Sequence, residues 1–100
     1  MTKLNEIELQ YRMKEIDISW ALKGKFIHRE ITFKDFVEAF SFMTSVAEIA
    51  EKADHHPTWK NTYNKINISL TTHDSNGLTE KDFTLAKEID QLTQNHVPKD

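Results

Sequence analysis

The chain has 100 residues, a formal net charge of −3 and no cysteine, which excludes disulfides, thiolate chemistry and cysteine-ligated zinc. This length fits a single domain over residues 1–100, and the absence of a basic block argues against nucleic-acid binding. No apolar run approaches the roughly 20 residues that span a bilayer, and the N-terminus lacks the apolar stretch of a signal peptide, so a cytoplasmic protein is expected.

The first predicted element is a helix near the N-terminus. An alternation of apolar residues there would also suit a strand, but Leu9, Met13 and Ile16 share one helix face. The residue types are good helix formers, and Asn5 can cap the first turn. The pattern therefore favours helix.

Two short strands are predicted next, with Gly24 as the turn between them. Arg29 interrupts the apolar face of the second strand, which indicates an edge strand or a side chain that snorkels to water. His28 belongs to the opposite face and is expected in solvent. The apolar face itself consists of Ile27, Ile31 and Phe33.

Residues 35–52 carry the strongest helical pattern in the chain. One set of apolar residues steps by four, three, four and three, as expected for the buried stripe of a helix. We expect this stripe to face the apolar residues of a later strand, Ile66, Ile68 and Leu70. The stripe consists of Phe36, Phe40, Met43, Ala47 and Ala50.

A strand is predicted within residues 59–73, followed by a turn and a last helix capped by Thr79 and Asp82. His96 falls in what is expected to be a frayed tail. The element order predicts an α+β fold with two layers, in which a four-stranded antiparallel sheet carries about three helices on one face. The inner face of the last helix is predicted to be Phe83, Ala86 and Ile89.

Two adjacent histidines follow the long helix. Pro57 disfavours helical geometry at His56, so the two rings are expected to point in different directions. Glu51 lies four residues before His55 and would share its direction if the helix extended that far. Adjacent histidines can equally be ordinary loop residues, metal ligands or acid–base groups.

His73 and Asp82 are the other candidates for a site. His73 ends the predicted strand, a common place for functional groups, and a half-exposed strand end is an equally good interpretation. Asp82 is most simply a helix cap, although it could reach a histidine if the last helix folds back over the sheet.

The spacing of these residues resembles the signature of the pterin-4a-carbinolamine dehydratases. The resemblance covers about residues 19–92, and Trp20 stands where that family usually has a tryptophan. The sequence departs from the family before Trp20, where Ile18-Ser19 replaces the usual proline-glycine. The residues that carry the resemblance are Glu51, His55-His56-Pro57, Tyr63, His73 and Asp82.

This resemblance implies a dehydratase that converts a 4a-hydroxy-tetrahydropterin into quinonoid dihydropterin and water, for tetrahydropterin recycling, with no metal and no cofactor. An imidazole can donate or accept a proton near neutral pH, as such a reaction needs. The implied catalytic residues are His55, His56, His73 and Asp82. The implied substrate-binding or pocket residues are Glu51, Asp54, Trp59, Thr71, Thr72, Asp74 and Trp20.

The resemblance also implies a homodimer or homotetramer, with no nucleic-acid or membrane partner. An edge strand could pair with its copy across a two-fold axis. A second hypothesis is a non-catalytic dimerisation or interaction module on the same fold, which would not need the histidines. A third is a small metalloprotein, which adjacent histidines disfavour because they seldom reach one ion together.

Overall fold

The computed structural model describes residues 2–96. Four strands form one antiparallel sheet in the order β1-β2-β4-β3, and three helices accompany it. This confirms the predicted two-layer α+β fold. The elements are α1 (Glu6–Met13), β1 (Ala21–Lys23), β2 (Phe26–Thr32), α2 (Phe36–Ala53), β3 (Thr58–Thr62), β4 (Lys65–Leu70) and α3 (Glu80–Asn95), with a short 3₁₀ turn at His73–Ser75.

One face of the sheet forms the floor of the core. Alternate residues of the two central strands are buried, while their neighbours are half-buried or exposed, as expected when helices cover one face. Phe83, Ala86 and Ile89 of α3 lie in the same core, as predicted. The buried residues of the central strands are Ile27, Arg29, Ile31, Ile66, Ile68 and Leu70.

The predicted stripe of α2 is largely wrong. Of its members, Ala50 is buried and Met43 is partly buried, but Phe36 and Phe40 are 46% and 53% exposed, and Ala47 is also exposed. Apolar residues cover much of the circumference of this helix, so hydrophobicity alone cannot identify the face that packs on the sheet. The fully buried stripe is Ala39, Phe42, Val46 and Ala50.

Arg29 is neither on an edge strand nor snorkelling. Strand β2 pairs with β1 and β4, and Arg29 is buried with its Nη1 donating to Asp90 Oδ1 at 2.7 Å. Asp90 also accepts a hydrogen bond from Trp20 Nε1 and one from the backbone nitrogen of Asp17, both at 2.8 Å. One carboxylate of α3 therefore holds the central strand and the segment that precedes β1.

Helix α1 buries none of its residues fully, but Leu9 and Met13 pack against the core, and polar contacts add to this attachment. Asn5 forms a reciprocal capping box with Glu8, which confirms the predicted cap. Arg12 Nε donates to both carboxylate oxygens of Glu80 at 2.8 and 3.0 Å. The hydrogen bond from Arg12 lowers the pKa of Glu80 below its usual range.

His96 is a packed residue and does not belong to a frayed tail. It ends α3, and its ring lies edge-on to Phe33 and Phe42 with centroid distances of 6.0 and 5.7 Å. Its Nδ1 is 2.8 Å from Glu38 Oε1. The rest of the predicted tail, residues 97–100, lies outside the described residues.

None of the helices within residues 2–96 has the length and the apolar character needed to cross a membrane.

The revised orientation of α2 can be tested with two alanine substitutions on that helix. Phe42→Ala should lower the free energy of unfolding by about 3–5 kcal/mol, because it empties a fully buried site. Phe40→Ala should cost less than about 1 kcal/mol, because that ring is half in solvent. Urea denaturation at low protein concentration measures both values, and the reverse order would contradict the orientation.

The contact between Arg12 and Glu80 predicts a pH-dependent stability difference. A carboxylate whose pKa is lowered by folding stabilises the protein above its unfolded pKa, about 4.3, and loses that contribution as the pH falls through the folded value. Arg12→Met should therefore be less stable than the parent at pH 7, and the difference should shrink progressively below about pH 4.3. Urea denaturation across this range measures the difference.

The control for this series is Lys34→Met, which removes an exposed cation that forms no ion pair with residues 2–96. Its difference from the parent should stay small at every pH. A stability loss in Arg12→Met that persists unchanged into acid would show that the ion pair is not its cause.

Candidate active site

The end of α2 directs the two adjacent histidines. Asp54 adopts the left-handed conformation, φ 51°, and the backbone nitrogen of His55 donates to Ala50 O at 3.1 Å. This is the hydrogen bond of a Schellman-type helix end, and aspartate tolerates the left-handed conformation better than most residues. The chain leaves the helix sharply, passes Pro57 and enters β3.

The two rings have opposite environments, as the proline suggested. His55 is 8% exposed, and its Nε2 lies 2.6 Å from Asp82 Oδ1. His56 is exposed, and its Nε2 lies 2.8 Å from Glu51 Oε1. Glu51 was expected to share the direction of His55 only if the helix reached that far, and this condition is not met because α2 ends at Ala53.

Asp82 is both a helix cap and the partner of a histidine. It is fully buried, and its Oδ2 accepts from Thr79 N at 2.9 Å, which completes the predicted capping box. The same oxygen accepts from Thr72 Oγ1 at 2.8 Å, while Oδ1 faces His55. Three donors from three segments of the chain thus surround one buried carboxylate.

This arrangement selects a tautomer for His55. A carboxylate accepts hydrogen bonds and cannot donate one, so the neutral ring carries its hydrogen on Nε2. The lone pair then lies on Nδ1. A ring held in this way can take a proton on Nδ1 while Asp82 compensates the positive charge, as in other aspartate–histidine pairs.

The three candidate histidines line one cavity of about 290 Å³. That volume is close to the lower end of the range of small-molecule pockets, about 300 Å³. The histidines come from the segment after α2 and from the turn after β4, so only the tertiary fold brings them together. The lining residues are Asp54, His55, His56, Thr71, Thr72, His73, Asp74 and Lys81.

The turn that carries His73 is supported from the β1–β2 hairpin. Thr71 Oγ1 donates to the carbonyl of Lys25 at 2.6 Å, and Lys25 Nζ donates to Asn76 Oδ1 at 2.7 Å. Thr72 and Gly77 close the turn with two backbone hydrogen bonds. His73 itself is exposed at the cavity while its backbone is held.

Besides the buried Asp82, three predicted substrate-binding residues do not line this cavity in the single chain. Trp20 lies in the core with its indole nitrogen on Asp90, Trp59 packs against the core from β3, and Glu51 lies on the exposed side of α2 beside His56. Trp20 can be buried in the core because Asp90 supplies the acceptor that a buried indole N–H needs.

Sequence reasoning missed Lys81 and Thr79 as members of the site. Lys81 lines the cavity, and Thr79 connects Thr72 to the buried carboxylate through a hydroxyl contact of 2.8 Å. The sequence feature that could have identified Lys81 as a site residue was its position next to Asp82. Thr79 was recognised only as a cap, because its second contact depends on how α3 meets β4.

No group of three or more histidine or acidic side chains within the described part of the chain, residues 2–96, is arranged to hold a metal ion.

Comparison with known proteins gives concordant matches. Residues 2–92 match the family model described as pterin 4 alpha carbinolamine dehydratase. A protein of Solibacter usitatus, provisionally named a pterin-4-alpha-carbinolamine dehydratase, is 50% identical over 91% of this chain and 95% of its own length. A protein of Christiangramia forsetii with the same provisional name is 45% identical over 95% of this chain and 97% of its own.

Solved structures share the fold. The crystal structure of a transcriptional coactivator/pterin dehydratase from Brucella melitensis has a TM-score of 0.87 and 40% identity, covering 91% of this chain and 98% of that one. A pterin dehydratase-like protein identified as a RuBisCO assembly factor in the alpha-carboxysome has a TM-score of 0.65 and 23% identity, covering 74% of this chain and 88% of its own. At that identity the second likeness shows the fold alone. The family match and the relatives together show that the chain belongs to the pterin-4-alpha-carbinolamine dehydratase family.

Proposed function

We propose that this protein dehydrates a 4a-hydroxy-tetrahydropterin to quinonoid dihydropterin and water, as a step of tetrahydropterin recycling. The observation that carries the proposal is the buried contact of 2.6 Å between His55 and Asp82, at the wall of a cavity that His56 and His73 also line. Family membership supplies the class of substrate.

The reaction needs proton transfer and no change of oxidation state. The hydroxyl on C4a takes up a proton and leaves as water when the C4a–O bond breaks. The hydrogen on N5 is lost as a proton, and the electron pair of the N–H bond becomes the second bond of the N5–C4a double bond. One acid and one base suffice, and positioned groups of this kind usually contribute about 10²–10⁴-fold in rate.

His55 suits the role of base in this scheme. Its Nε2–H is held by Asp82, so Nδ1 has the lone pair, and the carboxylate compensates the charge that the ring acquires. Burial and the short hydrogen bond to Asp82 also fix the ring, because together they restrict the two χ angles of the side chain.

His73 suits the role of acid, since its exposed ring can recover a proton from solvent after each turnover. His56 is proposed to bind the pterin and to share the proton transfer.

Asp54 and Asp74 are proposed as acceptors for the N–H groups of the pterin. The hydroxyl hydrogens of Thr71 and Thr72 already go to Lys25 and Asp82, so these residues would shape the pocket or accept hydrogen bonds from the ligand.

A homodimer or homotetramer is part of the proposal. Strands β1 and β3 are the edges of the sheet formed by residues 2–96, and either could pair with a second copy. The exposed apolar side chains of α2, above all Phe36, Val37 and Phe40, offer a second surface. Because such side chains also suit a protein partner, they favour the non-catalytic interaction module as the second candidate function.

The catalytic proposal predicts a loss of turnover when either histidine is removed and a larger loss when both are removed. His55→Ala and His73→Ala should each lower kcat by about 10²–10⁴-fold or somewhat less, because the remaining histidine compensates in part. The double variant should approach the spontaneous rate. Stopped-flow absorbance of quinonoid dihydropterin, formed from freshly generated carbinolamine, measures these rates.

His28→Ala is the matched control. His28 is half-buried on the strand face opposite the core, where its Nδ1 lies 2.9 Å from Ser69 Oγ, so its removal should leave kcat unchanged. His96 is unsuitable because it packs against two phenylalanines. A double variant that turns over like the parent would exclude the catalytic assignment and leave the interaction module.

The assignment of His55 as base predicts its tautomer. At a pH where the ring is neutral, ¹⁵N NMR should show hydrogen on Nε2 and a lone pair on Nδ1. Asp82→Asn offers the ring an amide that can turn either its oxygen or its NH₂ group towards Nε2, so the Nε2–H tautomer should lose its dominance. A parent protein with hydrogen on Nδ1 would contradict the proposed base.

A further inference from the structure

Lys81 is the one cationic residue among those lining the cavity. Its ammonium group forms no ion pair or side-chain hydrogen bond with residues 2–96, and only its backbone nitrogen is engaged, by Thr79 Oγ1 at 3.3 Å. Lys87, on the same helix, pairs with Glu15 at 3.2 Å. Of the two lysines of α3, the one without an acidic partner within residues 2–96 is therefore the one that lines the cavity.

The position of Lys81 does not serve the stability of α3. It is the second residue of the helix, where the helix dipole favours negative charge. Its neighbours Glu80 and Asp82 follow this preference, with Glu80 bound by Arg12 and Asp82 by its three donors. Lys81 is exposed and has no acidic partner within residues 2–96, so its ammonium group is available to a ligand in the cavity.

The chemistry of a pterin defines what such a cation can bind. A protonated lysine donates hydrogen bonds and accepts none. The pyrimidinone ring of a pterin has two N–H donors at positions 2 and 3, which suit the carboxylates of Asp54 and Asp74, and one carbonyl acceptor at C4. Among the charged residues that line the cavity, Lys81 alone has an ammonium group, which has three donors and no acceptor.

We propose that Lys81 is a substrate-binding residue that donates a hydrogen bond to the C4 carbonyl oxygen of the pterin, which rests on the proposed function. This carbonyl is bonded to C4a, the carbon that loses the hydroxyl group. The contact orients the ring so that C4a and N5 face the histidines, and it discriminates 4-oxo pterins from analogues with an amino group at C4.

A binding cycle tests the contact. The ligands are 7,8-dihydropterin, which cannot undergo the dehydration, and 2,4-diamino-7,8-dihydropteridine, which has an amino donor in place of the carbonyl. The proteins are the parent, Lys81→Met, Lys81→Arg and the control Lys87→Met. Isothermal titration calorimetry gives each Kd, and melting temperatures verify that all four proteins are equally folded.

Lys81→Met should weaken binding of the 4-oxo ligand by roughly 10- to 100-fold, the usual effect of losing a hydrogen bond to a charged group. Lys81→Arg should retain most of the affinity, and Lys87→Met should match the parent. The diamino ligand should bind Lys81→Met at least as tightly as the parent. Equal losses for both ligands, or no loss for the 4-oxo ligand, would overturn the inference and leave the proposed function intact. A parent that binds neither ligand would overturn both.

Discussion

The buried carboxylate of Asp82 is the interaction on which the site depends. It has no exposure to solvent, and an uncompensated charge in such a place would cost several kcal/mol. The compensation comes from the start of α3, from Thr72 after β4 and from His55 after α2. A residue that caps the start of one helix therefore also fixes the position and tautomer of the proposed base, so that the fold and the site share one group.

The surrounding structure holds these three segments in place. The left-handed Asp54 ends α2 where His55 can turn inward, and Lys25 of the β1–β2 turn supports the turn that carries His73. Further along α3, Asp90 binds Arg29 of the central strand. Helix α3 is thus fixed at two points by buried or half-buried carboxylates, and the segments that carry the three histidines at the cavity gain a rigid frame.

Several features could be predicted because they depend on local patterns. The alternation in β2 and β4, the capping residues Asn5 and Thr79, and the divergence of His55 from His56 all follow from periodicities of two or 3.6 residues or from local backbone preferences. The spacing of the histidines and Asp82 was sufficient to identify the family. For the strands, the caps and the histidine pair, the deciding interaction lies within a few residues or repeats along one element.

Only the tertiary structure decided which face of an apolar helix is buried and which polar groups meet. Helix α2 has apolar residues on two faces, and the sheet selects the one with Phe42, leaving Phe40 half exposed. The sequence pattern did not explain a charged residue on the apolar face at Arg29, because its partner Asp90 lies 61 residues away. Asp82 looked like a simple cap for the same reason, since His55 is 27 residues distant. Sequence determines local geometry through short-range sterics and hydrogen bonds, whereas long-range pairing depends on packing that no single segment encodes.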